Sequence, residues 1–363
     1  MKIKYIGNFN DGTGWSKAST YNALALNAAG HDVYCQGVKY GTQEIVINDK
    51  ILELMNKKTD SYDMIINHVI PKDYQYINGI KNIGFVALET LTLFNVLWLK
   101  NLDLMDEIYV PNQASKDCLV SSRIHPDKIK IFNHSFDYQK VVNNESKIFV
   151  EELKNTFNFV FIGEFSKRKN LEVLLRAFHS EFHFSDPVNL YLKTNMDISV
   201  INKFKESVYD RLKLRNRYKK EVIISEFLTE ENLWSTVRQC HAFVMPSYGE
   251  AWCYPAMEAM AMGIPTIYTD GIGIGDYAPK EASFAVKSTI QPCYGATDAH
   301  FSDIYTSNDK WLEIDVLDLQ KNMREVFELH RSDIKQYQNI SNINKQQMSK
   351  YDFNNTDIVR NII

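Results

Sequence analysis

The chain has 363 residues, 45% of them hydrophobic and 24% charged, with a formal net charge of -4. That length suits two domains of ordinary size, and the composition is normal for a soluble globular enzyme. With a pI near 6.2 the molecule has no global pull toward nucleic acid or anionic lipid, so either partner needs a local basic patch. Five cysteines, Cys35, Cys118, Cys240, Cys253 and Cys293, lie far apart without a C-x-x-C pair or a histidine at ligand spacing. This argues against a zinc site or a disulfide framework and fits a reducing cytoplasm. The most apolar window, Phe85 to Leu104, is interrupted by Glu89, Asn95, Lys100 and Asp103, too often to span a bilayer.

Met1 to Ile6 runs straight into a strand, so no signal peptide is expected. Apolar, β-branched runs then alternate with helical patterns, which predicts parallel βαβ units. In the first part Ile3–Ile6, Asp32–Cys35, Asp63–Ile66, Ile83–Ala87, Glu107–Val110 and Ile129–Phe132 read as strands. Gly7 to Lys17 follows the first strand and opens a helix, with Gly12, Thr13 and Gly14 where a backbone can approach a ligand closely. A dinucleotide fingerprint fails there: the G-x-G-x-x-G spacing is absent, and Val33 to Gly37 brings no acid to the end of the second strand. Phe136 to Thr156 is polar and reads as an interdomain linker. Strands resume at Phe157–Ile162, Val188–Lys193, Glu221–Ile224, Ala242–Met245, Pro265–Tyr268 and Ser283–Val286. The tail, residues 345–363, reads as a helix that packs back on the first domain. The division expected is 1–138 for the first domain and 150–344 for the second.

The richest segment is Met245-Pro-Ser-Tyr-Gly-Glu250-Ala-Trp-Cys-Tyr-Pro255-Ala-Met-Glu258. A buried strand ends at Pro246, a loop follows, and a helix starts near Tyr254 with Pro255 suited to its first turn. Free N–H groups and the helix dipole make such a start an anion site suited to a diphosphate. It also lies at a strand's carboxyl end, where doubly wound sheets bind ligands. Glu250 and Glu258 are poor phosphate ligands but good acceptors for sugar hydroxyls. The bare spacing of two glutamates reads more simply as a solvated loop residue and a helix-surface residue; the whole block is what distinguishes them.

This block resembles the E-x7-E signature of the GT-B-fold, family 4 (group 1) retaining glycosyltransferases. Phe159 to Asn170, with Gly163 after the strand and Arg168-Lys169 at the helix start, resembles the loop with which that family holds the donor diphosphate. Phe85 to Thr90, Trp98, Asp106 to Asn112 and Asn133 to Asp137 resemble its first domain. The fold this implies is two Rossmann-like, doubly wound parallel-sheet domains facing a central cleft. The resemblance assigns Glu250, Arg168 and Lys169 to catalysis, and Glu258, Trp252, Cys253, Tyr254, Gly163 and Gly14 to the donor. On the acceptor or sugar side it leaves Glu89, His68, Gly12 and Thr13, although a satisfied structural histidine competes for His68.

The family commonly has glycine where this chain has Ala251 and Cys253, and arginine where it has Glu164. Where many members place a donor-side histidine after the fourth strand, this chain offers Glu89. No D-x-D motif is present, so no metal is expected, nor any cofactor beyond a UDP- or GDP-sugar substrate. The reaction implied is transfer of a hexosyl or pentosyl group from a nucleoside diphosphate to a hydroxyl, with retention. Arg168, Lys169 and the helix start would stabilise charge on the leaving diphosphate.

The acceptor stays open between a glycan or small molecule and DNA; the balanced charge of the first domain speaks against a membrane lipid. The run Arg211-Leu-Lys-Leu-Arg-Asn-Arg-Tyr-Lys-Lys220 reads first as a solvated helix end and second as a phosphate-backbone contact. Abundant Asn, Ile, Lys and Tyr suit an AT-rich, phage-like source, for which hydroxymethylated DNA bases are a candidate acceptor. The location expected is the cytoplasm, that of a host cell if a phage encodes the chain. A GT-B-fold sugar-nucleotide epimerase is the alternative without an acceptor.

Overall fold

The computed structural model describes residues 1–40, 46–214, 218–219, 221–296, 304–360 and 362. They divide into two compact units: Met1–Tyr138 with Lys350–Ile363, and Gln139–Ser349.

In the first unit, strands β1 (Lys2–Gly7), β2 (Asp32–Gly37), β3 (Met64–His68), β4 (Lys81–Phe85), β5 (Glu107–Val110) and β6 (Ile129–Ile131) form one parallel sheet in the order β2-β1-β3-β4-β5-β6. Helices α1 (Gly14–Ala28), α2 (Asp49–Asn56), α3 (Val96–Asp103) and α4 (Gln113–Ser121) supply crossovers, because parallel neighbours cannot be joined by a tight turn. Ile3, Tyr5, Ile65, Ile66, Ile83, Phe85 and Ile108 are fully buried, as strands covered on both faces require. The strand order changes direction between β1 and β3, which opens a crevice at their carboxyl ends.

The second unit begins just inside α5 (Tyr138–Val142). Its strands β7 (Phe157–Ile162), β8 (Val188–Lys193), β9 (Val222–Ile224), β10 (Ala242–Met245), β11 (Thr266–Thr269) and β12 (Ser283–Val286) run in the order β12-β11-β10-β7-β8-β9. This is the doubly wound order whose switch point lies between β7 and β10. Helices α6 (Leu171–Glu181), α7 (Ile198–Leu212), α8 (Glu230–Val237), α9 (Tyr254–Ala261), α10 (Val316–Ser332) and α11 (Ile334–Ser349) belong to this unit. Two further strands, β13 (Ser288–Pro292) and β14 (Lys310–Ile314), pair antiparallel.

All twelve strands read from the sequence are present with ends shifted by a few residues. The ribbon β13–β14 was not expected; it forms against the second unit's main loop, with Trp311 stacked on Tyr248 at 4.4 Å, a contact no local pattern encodes. The stretch read as a linker is strapped to α8. Asn144 Nδ2 donates to Glu231 O, and Ile148 N and Val150 N donate to Ser235 Oγ and Gln239 Oε1. The tail is not one helix over 345–363: α11 ends at Ser349, and a short α12 (Asp357–Arg360) follows a turn. That segment is pinned to the first unit by Tyr138 N on Asp352 Oδ2 and Tyr109 Oη on Ile362 O. Among the described residues, no helix is long and apolar enough to cross a membrane.

Candidate functional site

The loops that follow β7 and β10 meet at the switch point of the second unit. Tyr248 N donates to Arg168 O at 2.8 Å, which fixes one loop on the other. Gly163 closes β7, where an added Cβ would lie 3.0 Å from Phe161 Cζ and 3.3 Å from Lys169 Cδ. The missing side chain thus makes room for the Lys169 stem. The loop ends on Asn170, in the left-handed region at φ 55°, and α6 begins.

On the facing loop Glu250 is buried. Its Oε1 accepts from Lys169 Nζ at 2.7 Å, Arg168 Nη1 at 2.8 Å and Ser247 Oγ at 2.8 Å. Among the described residues all three side-chain bonds fall on that oxygen, and Oε2 takes none. Arg168 Nη1 also donates to Gly249 O at 2.8 Å, and Nη2 to Glu164 at 3.2 Å. Burial works to raise the Glu250 pKa, but the charges of Lys169 and Arg168, with bonds from Lys169 and Ser247, hold it below the usual carboxylate value. Lys169 is held above the usual lysine value: burial opposes its charge, and the Glu250 carboxylate outweighs that. The sequence reading kept cations for phosphate and carboxylates for sugar; the fold joins them in one buried cluster, as desolvated charges require.

Helix α9 starts where Pro255 indicates, at Tyr254. Its cap, Cys253, takes φ 74° and ψ 78°, a conformation that suits glycine better than a side-chain residue. Burial, then the charge of Glu250, pushes the Cys253 thiol up to about 12, so it stays protonated. Trp252 and Tyr254 are buried beside it. Glu258 is buried on α9, whose other buried residues are tyrosine, alanine and methionine. Both glutamates of the spacing are therefore interior, not solvated. Three residues that the sequence reading missed support this loop. Ser247 bonds Glu250, Tyr277 donates its hydroxyl to the main-chain oxygens of Trp252 (2.9 Å) and Cys253 (3.0 Å), and Trp311 backs Tyr248. Only Ser247, a hydroxyl at the end of a buried strand, left a local signal.

In the first unit the sequence-read residues lie at the carboxyl ends of the strands. Gly12 has φ 70°. Thr13 caps α1, its Oγ1 accepting from Ser16 N and donating to Asp11. Gly14 faces open space. Glu89 is half-buried in the loop after β4. His68 is buried, 2.6 Å from the Tyr5 hydroxyl and stacked on Phe85 at 4.1 Å, and burial pulls its pKa down to about 3. Its immediate partners are core residues. Arg215, Asn216, Arg217 and Lys220 of the basic run lie outside the described residues. Among the described residues no cluster of three or more His, Cys, Asp or Glu side chains is placed to hold a metal ion.

Residues 143–289 match the family model for glycosyl transferases group 1. The matched segment covers less than half of the chain. It contains Arg168, Lys169, Glu250 and Glu258. No curated protein matches the chain. Among solved structures the chain resembles a glycosyltransferase from Rickettsia africae, at 12% identity and TM-score 0.68, over 99% of this chain and 96% of that one. It resembles HepE of Anabaena in complex with UDP-glucose, at 13% identity and TM-score 0.63, over 100% and 99%. It also resembles sucrose-phosphate synthase of Thermosynechococcus elongatus, at 14% identity and TM-score 0.65, over 100% and 97%. The fold is GT-B.

Proposed function

We propose that the chain transfers a sugar from a nucleoside diphosphate to a hydroxyl acceptor, with retention of configuration and without a metal, as a family 4 glycosyltransferase. The observation that carries this reading is the buried Arg168–Lys169–Glu250 cluster at the switch point of the second unit. Arg168, Lys169 and the start of α9 offer fixed positive charge to the leaving diphosphate, the electrostatic stabilisation that commonly dominates catalysis. Glu250 Oε2 is available to accept from a hydroxyl of the transferred sugar, and Glu258 serves the ribose. Trp252, Cys253, Tyr254, Gly163 and Gly14 complete the donor side, with Glu89, Gly12 and Thr13 toward the acceptor. Retention follows from the family likeness; in that scheme the leaving phosphate takes the acceptor proton, so no separate base is needed.

The group 1 match over residues 143–289 and the UDP-glucose held by the Anabaena neighbour support a UDP-sugar as the first donor to try. The experiment is transfer of radiolabelled sugar from UDP- and GDP-sugars to oligosaccharides, lipid extract and hydroxymethylcytosine DNA. Label on an acceptor, with nucleoside diphosphate released, supports the reading. Isomerised donor without transfer overturns it in favour of an epimerase.

A further inference from the structure

The acceptors around Arg168 are unequal. Nη1 is bound by Gly249 O and by Glu250, whose side chain is 5% exposed; Nη2 is bound by Glu164, whose side chain is 42% exposed. Glu250 is held by three side-chain donors. Glu164 has Arg168 and, at 3.3 Å, the hydroxyl of Ser166. A half-exposed ion pair contributes little and exchanges readily with water or another anion, whereas separating a buried one strands two charges. The two cations, Arg168 and Lys169, are balanced by the two carboxylates, Glu250 and Glu164. Both carboxylates offset part of the pull of these cations on an approaching anion.

We propose that Glu164 is the displaceable counter-ion of this site and sets its affinity for the diphosphate. A phosphate oxygen reaches the Nη2 edge of Arg168 by replacing the Glu164 carboxylate, which swings into water, while Glu250 stays in place. This inference rests on the nucleoside-diphosphate reading above. Glu164 then acts through Arg168 as a positioning residue that discriminates by charge: it opposes phosphate and leaves the nucleoside moiety unaffected.

Calorimetric titration of UDP, GDP, uridine and guanosine into the wild-type chain and Glu164→Gln tests this. The glutamine keeps the size and the Ser166 bond while removing the charge. We expect the preferred diphosphate to bind Glu164→Gln about fivefold more tightly, the scale of one half-exposed ion pair. Its nucleoside should bind both proteins equally, and the gain should shrink at high salt. Equal diphosphate affinity for both proteins overturns the role of Glu164 and leaves the donor site intact. A parallel change for nucleoside and diphosphate overturns it too, because that marks a structural effect. Binding of neither diphosphate to either protein overturns this inference and the donor site together.

Discussion

Lys169 Nζ and Arg168 Nη1 meet on the same oxygen of Glu250, at 2.7 and 2.8 Å. The charges expected to handle phosphate and the carboxylate expected to handle sugar therefore stabilise each other inside the protein. Lys169→Met keeps the stem and removes the charge, leaving Glu250 with Arg168 and the Ser247 hydroxyl. Breaking a buried pair costs about 3 kcal/mol, and losing one preorganised cation lowers turnover by about 100-fold or more. Denaturant unfolding and nucleoside-diphosphate release measure the two effects separately.

The same cluster fixes an acid limit. Glu250 binds protons less readily folded than unfolded, because its cations outweigh its burial. Its contribution is complete above the ordinary glutamate value of about 4.3 and is lost as pH falls through the lower folded value. His68 adds a second slope in the first unit. Burial takes it down to about 3, so the unfolded chain takes up a proton below about 6.5 that the folded unit refuses. Stability should fall as pH drops from about 6.5 toward about 3, and His68→Phe should flatten that slope in melting curves recorded across the range.

Trp311 is the support that the sequence did not advertise. It stacks on Tyr248 at 4.4 Å, and Leu312 N donates to Tyr248 O, while Tyr248 N holds Arg168 O. Trp311→Ala should cost about 3 kcal/mol in unfolding free energy. It should also weaken nucleoside-diphosphate binding in calorimetry, although Trp311 carries no charge.

Two glycines should behave oppositely. Gly263 ends α9 at φ 83°, and a Cβ there would clash with Ser341 Oγ and lie 2.6 Å from Lys345 Cε. Gly263→Ala should destabilise the chain by about 2 kcal/mol through strain and overpacking. Gly14 has nothing within 4 Å of an added Cβ. Gly14→Ala should leave stability unchanged or raise it by about 0.5 kcal/mol. If substrate approaches that backbone, it should still raise KM, which kinetics and melting together resolve.

The parallel sheets were legible because each strand is a short β-branched run between helical patterns, and burial on both faces demands that composition. The loop and the helix that carry Glu250 and Glu258 were legible through Pro246, Pro255 and the apolar turns of α9. Tyr277, Trp311 and the α8 strap were not, since their partners lie far along the chain and the contacts exist only after folding. The pairing of Arg168 with Glu164 escaped for a related reason: both residues were noted in one loop, but their bond exists only once that loop has folded.

The most direct test of the donor site is nucleoside-diphosphate release from the best donor by the wild-type chain and by Glu250→Gln, with folding of both verified. The account predicts a fall of about 100-fold or more for the variant, since Glu250 holds the cations and, on the proposed reading, also binds the sugar. Turnover of a folded Glu250→Gln chain at the wild-type rate would contradict it.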